Sequence, residues 1–285
     1  DMALSFQTSL ARTTVVEGVG LHSGAPARAV LQPARAGRGV VFRRQDAGEV
    51  SASLESISST AFNTGLGQGA RAVGTVEHLM AAIALANVDN IVIEIDGPEL
   101  PALDGSAALW LDAITEAGLR SLDAPRKMIR ILAPIQIEDA GRSIRAKPHD
   151  GRIIEVSIAF PDAAIGAQKV TLNLDDPADV RRVASARTFC RRADIDHLRA
   201  KGLSLGGSLE NAVVVDGDRV LNPTGLRDRH EFALHKALDL IGDLRLAGAP
   251  IIGRIIADRP GHDLDARFLG VLSRPDRAVA RDVEE

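Results

Sequence analysis

A chain of 285 residues with 45% hydrophobic and 25% charged side chains carries enough apolar material for a sizeable packed core, in one large domain or two. Its net charge of −4 excludes the polybasic footprint of a nucleic-acid binder, and seven Phe, one Trp and no Tyr exclude a base-stacking platform. No run approaches the roughly 18 consecutive apolar residues of a membrane span, and the N-terminus lacks the basic and apolar regions of a signal peptide, so a cytoplasmic protein is expected.

Asp1 ahead of Met2 reads as an addition, with Met2 the natural start. The single cysteine, Cys190, excludes an intrachain disulfide and suits a half-buried thiol in a reducing compartment. A nucleophilic role for it would need a neighbouring base.

In chain order, β-like segments near 12–19, 26–32 and 39–43 are broken by Gly18, Gly20, Gly24 and Gly37. Thr75 is read as the N-cap of a helix running to about Ala86. Residues 90–96, apolar and β-branched, predict a strand with at least one buried face, ended by Gly97-Pro98. A helix over 106–117 closes at Gly118, and residues 123–126 read as a linker. Beyond it, strands are expected near 128–137, 142–147, 152–160 and 168–174, and helical stretches near 177–184 and 191–201. A strand over 212–215, a helix over 231–246 and a strand over 251–257 follow. A last helix near 263–272 is expected to run out into a charged, frayed tail. The element order repeats loosely on either side of the linker. It predicts an α+β protein of two similar α/β-sandwich domains, 1–123 and 128–285. Each would be a sheet packed on two main helices, with the active site at their interface.

On the helix over 231–246, His235 and Asp239 are four apart and share one face, and both are good zinc ligands. Leu234, Leu238 and Ile241 mark the adjacent apolar stripe. Alone, this pattern is weak, and a solvated His/Asp pair is the better account of it. Glu77-His78 alone fits a polar pair in a first helical turn, where the helix dipole favours Glu. Together His78, His235 and Asp239 make a three-ligand set that leaves a fourth position open, as catalytic zinc sites do, with Glu77 beside it as a candidate base. Spacing does not show that the two helices meet.

Longer motifs bear on that point. Thr75-Val76-Glu77-His78-Leu79-Met80-Ala81-Ala82 and His235-Lys236-Ala237-Leu238-Asp239-Leu240-Ile241-Gly242-Asp243-Leu244 resemble the UDP-3-O-acyl-N-acetylglucosamine deacetylases, zinc amidases of lipid A synthesis. Further similar stretches are Gly18-Val19-Gly20-Leu21-His22-Ser23-Gly24, Leu103-Asp104-Gly105-Ser106-Ala107-Ala108, Ser185-Ala186-Arg187-Thr188-Phe189, Leu221-Asn222-Pro223 and Gly261-His262. They run in family order along nearly the whole chain. The resemblance implies hydrolysis of the N-acetyl group of an acylated UDP-N-acetylglucosamine, giving acetate and the free amine. It implies a zinc ion (Zn2+) on His78, His235 and Asp239, Glu77 as general base and His262 as the second catalytic group. It further implies that Asp243 hydrogen-bonds His262, that Thr188 serves the oxyanion, and that Lys236 binds substrate. An insert near 190–215 would form the acyl-chain passage, with apolar surface from Ala193, Ile195, Leu198, Leu203 and Leu205 and with Leu21 and Phe189 at its mouth. Phe160 and Arg259 are expected at the nucleotide end. A monomer in the cytoplasm of a Gram-negative-type bacterium is expected, with no nucleic-acid partner and no transmembrane segment. Two places depart from the family's usual pattern. Ala159 and the stretch 161–164 replace a carboxylate and an imidazole at the nucleotide end, and Arg259 stands where a lysine is common, offering a planar fork in place of a point charge.

Overall fold

The computed structural model describes residues 6–45, 47–274 and 278–284, so the reading of Met2 as the start lies outside it. The first half is built on a five-stranded sheet in the order Thr14–Val19, Pro26–Pro33, Ile91–Ile95, Val40–Arg44, Gly48–Ser51. All neighbours are antiparallel except Val40–Arg44 with Ile91–Ile95. Ile91–Ile95 is central because it is apolar on both faces. Ile91, Ile93 and Ile95 enter the main core, while Val92 packs with Val41 and Ala34 on the other side. Helices α1 (Glu77–Leu85) and α2 (Ala108–Ala117) pack into that main core, and Gly118 ends α2 at φ +75°.

Two local expectations are corrected here. Thr75 is not the cap of α1: its φ is +58°, and the helix starts from Val76 without a side-chain cap bond. Of the linker read over 123–126, residues 123–125 end a strand, Leu119–Pro125, which pairs antiparallel with an unanticipated strand, Phe6–Leu10. Asp-Ala-Pro imitates a turn locally, but a partner far away in sequence holds it extended.

The second half centres on Ile251–Asp258. Arg142–Lys147 pairs antiparallel on one side and leads to Ile135–Asp139; Arg152–Ala159 pairs parallel on the other and leads to Ala167–Asn173. Lys127–Ile131 pairs with the first residues of Ile251–Asp258 and with Val279–Glu284. The tail expected to fray is therefore paired over Val279–Glu284, while 275–277 and 285 lie outside the described residues. Four helices follow in chain order: α3 (Pro177–Ala184), α4 (Arg192–Ala200), α5 (Glu231–Leu244) and α6 (His262–Leu272). α3, α5 and α6 pack on this sheet, one more than the expected pair. α4 belongs to a small unit with the three-stranded sheet of Phe189–Arg191, Val213–Asp216 and Arg219–Val220. Among the described residues no helix is long and apolar enough to cross a membrane.

The two helical layers meet where α1 packs on α5, and one contiguous core spans both halves. They approach closely at Gly242, where a Cβ would lie 2.0 Å from the Glu77 carbonyl oxygen. Only glycine fits there. That contact sets Glu77-His78 against a stripe of α5 carrying Glu231, His235, Asp239 and Asp243, spaced four residues apart along one side of the helix.

Candidate active site

Four ionisable residues on one buried stripe would be costly unless each found a partner. Glu231 finds Arg187: Nε donates to Oε2 at 2.8 Å and Nη2 to Oε1 at 3.0 Å, while the amides of Arg187 and Arg227 add bonds of 2.9 and 2.7 Å. This buried pair ties the start of α5 to the segment 185–188. The Ala186 carbonyl there accepts from His235 Nδ1 at 2.9 Å, which turns Nε2 toward Asp239.

His235 Nε2 lies 3.2 Å from Asp239 Oδ1, and His78 Nε2, delivered by α1, lies 3.3 Å from the same oxygen. All three side chains are buried, and their candidate ligand atoms fall within 4.8 Å of one another. Among the described residues, Asp239 Oδ1 has no hydrogen bond of good geometry, only these two imidazole nitrogens facing it. Burial raises the Asp239 pKa, but His235 and His78 outweigh it and hold the carboxyl well below its usual range. A buried, ionised, unpartnered oxygen facing two imidazole nitrogens fits a divalent cation of the zinc type, since N and O donors of this kind are its ordinary ligands.

Beside this cluster stands a second one. Glu77 is buried, accepts from the Thr64 amide at 3.1 Å, and has its pKa raised by burial against the pull of His262 and His78. Its Oε1 lies 3.8 Å from His262 Nε2. His262, at the first position of α6, donates from Nδ1 to Asp243 Oδ2 at 2.7 Å, one helical turn beyond Asp239. Burial works against the imidazolium, but Asp243 and Glu77 prevail and hold the His262 pKa well above the ordinary value. Asp265, also on α6, forms a third group with Asp243 and His262, their ligand atoms within 4.8 Å. Burial and the facing Asp243 push the Asp265 carboxyl well above its usual range.

The remaining expected site residues are spread around this centre. Thr188 donates its amide to Gly105 O at 2.7 Å and accepts at its carbonyl from Val213, while its hydroxyl has no partner among the described residues. Gly105, at φ +82°, is the residue that allows this approach, since a Cβ there would lie 2.0 Å from Asn211 O. Phe189 stacks edge-on against Phe160 at 5.5 Å and Phe232 at 5.0 Å between ring centroids, and lies 6.5 Å from the His235 ring. Leu21, Thr188, Phe189 and Cys190 line a cavity of about 540 Å³ together with Ile195 and Leu198 of α4. Ala193, Leu203 and Leu205 do not line it, and Leu205 is exposed. Burial raises the Cys190 thiol pKa, which favours the inert form over a nucleophilic thiolate. Lys236 is half-buried beside His235 on α5, and its charge acts on Asp265. Arg259 donates to the Gly141 carbonyl and pairs with Asp258. In the altered strip, Asp162 pairs with Arg191 at 2.7 Å.

Reading the sequence missed Thr64, Asp265 and the Arg187–Glu231 support. Arg187 lay inside a quoted motif and Glu231 four residues before His235, a spacing that could have pointed to it. Thr64 and Asp265 carried no local pattern.

The chain matches the family UDP-3-O-acyl N-acetylglycosamine deacetylase (LpxC) over residues 7–274. The UDP-3-O-acyl-N-acetylglucosamine deacetylase of Phenylobacterium zucineum is 42% identical, covering 98% of this chain and 99% of its own. The enzymes of that name from Anaeromyxobacter dehalogenans and Nitratidesulfovibrio vulgaris are 44% and 42% identical, each covering 93% of this chain, and 86% and 87% of their own. With a family match over nearly its whole length and relatives 42–44% identical over more than nine-tenths of the chain, the chain belongs to the UDP-3-O-acyl-N-acetylglucosamine deacetylase family.

Proposed function

We propose that the protein hydrolyses the N-acetyl group of a UDP-3-O-(3-hydroxyacyl)-N-acetylglucosamine, giving acetate and the free amine, as its family is named for. The observation that carries this reading is the meeting of α1 and α5, which brings His78, His235 and Asp239 together with Asp239 Oδ1 unpartnered. Those three residues would hold zinc, which when bound supplies Lewis acidity toward an amide carbonyl and acidifies water.

The chain's own groups do the rest. Glu77, its pKa raised by burial, takes a proton from the attacking water. His262, kept charged by Asp243, gives a proton from Nε2 to the departing amine. The free hydroxyl of Thr188 donates to the oxyanion. Lys236 binds the sugar or diphosphate. The cavity bounded by Leu21, Phe189, Ile195 and Leu198, within the insert 190–215, takes the acyl chain. Phe160 stacks beside Phe189 toward the nucleotide end. The halves 1–123 and 128–285 act as the two walls of this site. A monomeric state and a cytoplasmic location in a Gram-negative-type bacterium rest on the family reading.

The test is acetate release by purified, zinc-loaded protein from the acylated UDP-sugar, alongside metal content. One metal per chain, abolished by His78→Ala and by Asp239→Ala, and turnover of the acylated substrate are expected. A metal-replete protein that releases no acetate would sink the proposal.

A further inference from the structure

Thr64 has no part in the reaction as described, yet it touches three of its groups. It is 1% exposed. Its hydroxyl donates to Asp243 Oδ1 at 2.6 Å and lies 3.0 Å from His262 Nδ1. Its amide donates to Glu77 Oε2 at 3.1 Å, and its carbonyl accepts from the Val76 amide at 3.2 Å, just ahead of α1.

The bonding roles follow from what each atom can do. A carboxylate only accepts, so the single hydroxyl proton of Thr64 is committed to Asp243. The remaining lone pairs of Oγ1 face His262. Nδ1 of His262 therefore sees two acceptors, Asp243 Oδ2 and Thr64 Oγ1, and must carry hydrogen. That leaves Nε2, 3.8 Å from Glu77 Oε1, as the nitrogen whose proton can move. Rotating the ring would break both contacts at once. The same residue, through its backbone, also fixes the carboxylate of Glu77 opposite that nitrogen.

We propose that Thr64 is a positioning residue for proton transfer, holding the tautomer and ring plane of His262 and the orientation of Glu77 toward it. The inference rests on the deacetylase reading above. A threonine that merely satisfied a buried carboxylate would share these contacts but would not govern turnover at saturating substrate.

Thr64→Val keeps the shape and the amide and removes only the hydroxyl. Zinc content is expected to stay at the wild-type level and KM within about twofold, while kcat falls roughly 10- to 100-fold, the scale of a small misplacement of a reacting group. Thr64→Ser, which restores the hydroxyl without the methyl, is expected to recover most of kcat. If Thr64→Val does not fold, Thr64→Ala against Thr64→Ser reads the same contrast. A valine variant with wild-type kcat, a loss carried by KM or by zinc content, or a serine variant as slow as the valine would each overturn the proposal. A wild-type protein that releases no acetate would overturn the deacetylase reading instead.

Discussion

Glu77 and His262 face one another, and both are pushed toward their protonated forms, each by a different cause. Burial favours the protonated carboxyl on one side, and Asp243 favours the charged imidazole on the other. Glu77→Gln keeps the volume and an acceptor for the Thr64 amide but removes the base. It is expected to retain zinc and to lower kcat by about 10²–10⁴, the usual contribution of a positioned base; an unchanged kcat in acetate-release assays would remove Glu77 from the mechanism. Asp243→Asn tests the partner. A raised pKa means that the imidazolium survives to higher pH, so removing the charge that raises it moves the basic limb of the kcat profile to lower pH. A basic limb that stays in place would mean another group sets it. The main side chains of this centre were named through the family resemblance of the motifs around them, since the helix patterns of Glu77-His78 and of His235 with Asp239 are weak when taken alone. Thr64 was not, since its partner Asp243 is 179 positions away and nothing local to either residue signals the contact.

The helices that carry the centre are held by an absence of side chain as much as by packing. In an exposed helix, replacing glycine by alanine gains roughly 1 kcal/mol of helix propensity. At Gly242 the added methyl meets the Glu77 carbonyl and the Ala81 amide, backbone atoms that cannot swing aside. Overpacking of this kind typically costs about 1–3 kcal/mol, so the clash outweighs the propensity. Gly242→Ala is expected to lower stability in urea unfolding. It should lower kcat more than stability alone explains, because Glu77 and His78 ride on the displaced helix. Equal stability and activity would show that α1 and α5 can separate without harm. The helices were readable from sequence because their apolar spacing and closing glycines are local features. The pairing of Phe6–Leu10 with Leu119–Pro125 was not, nor the pairing of Val279–Glu284 with Lys127–Ile131, because strand partners are chosen by tertiary contact.

Across the whole molecule, the proposed ligand set bridges the two halves: His78 comes from α1, and His235 and Asp239 come from α5, inside one contiguous core. Metal that binds only this assembled arrangement stabilises both halves together. At a hundredfold excess over its dissociation constant, that linkage is worth about 2.7 kcal/mol. At about 2–4 °C per kcal/mol for chains somewhat smaller than this one, chelation is expected to lower the melting temperature by roughly 5–10 °C. Unfolding should remain a single transition, since the shared core leaves neither half a separate interior to melt. His78→Ala should melt near the chelated wild type and respond little to added zinc, because the bridge between the halves is gone. Differential scanning calorimetry with and without chelator decides the matter. Two resolved transitions would contradict the shared core, and a zinc response of wild-type size in His78→Ala would show that the ion is held elsewhere.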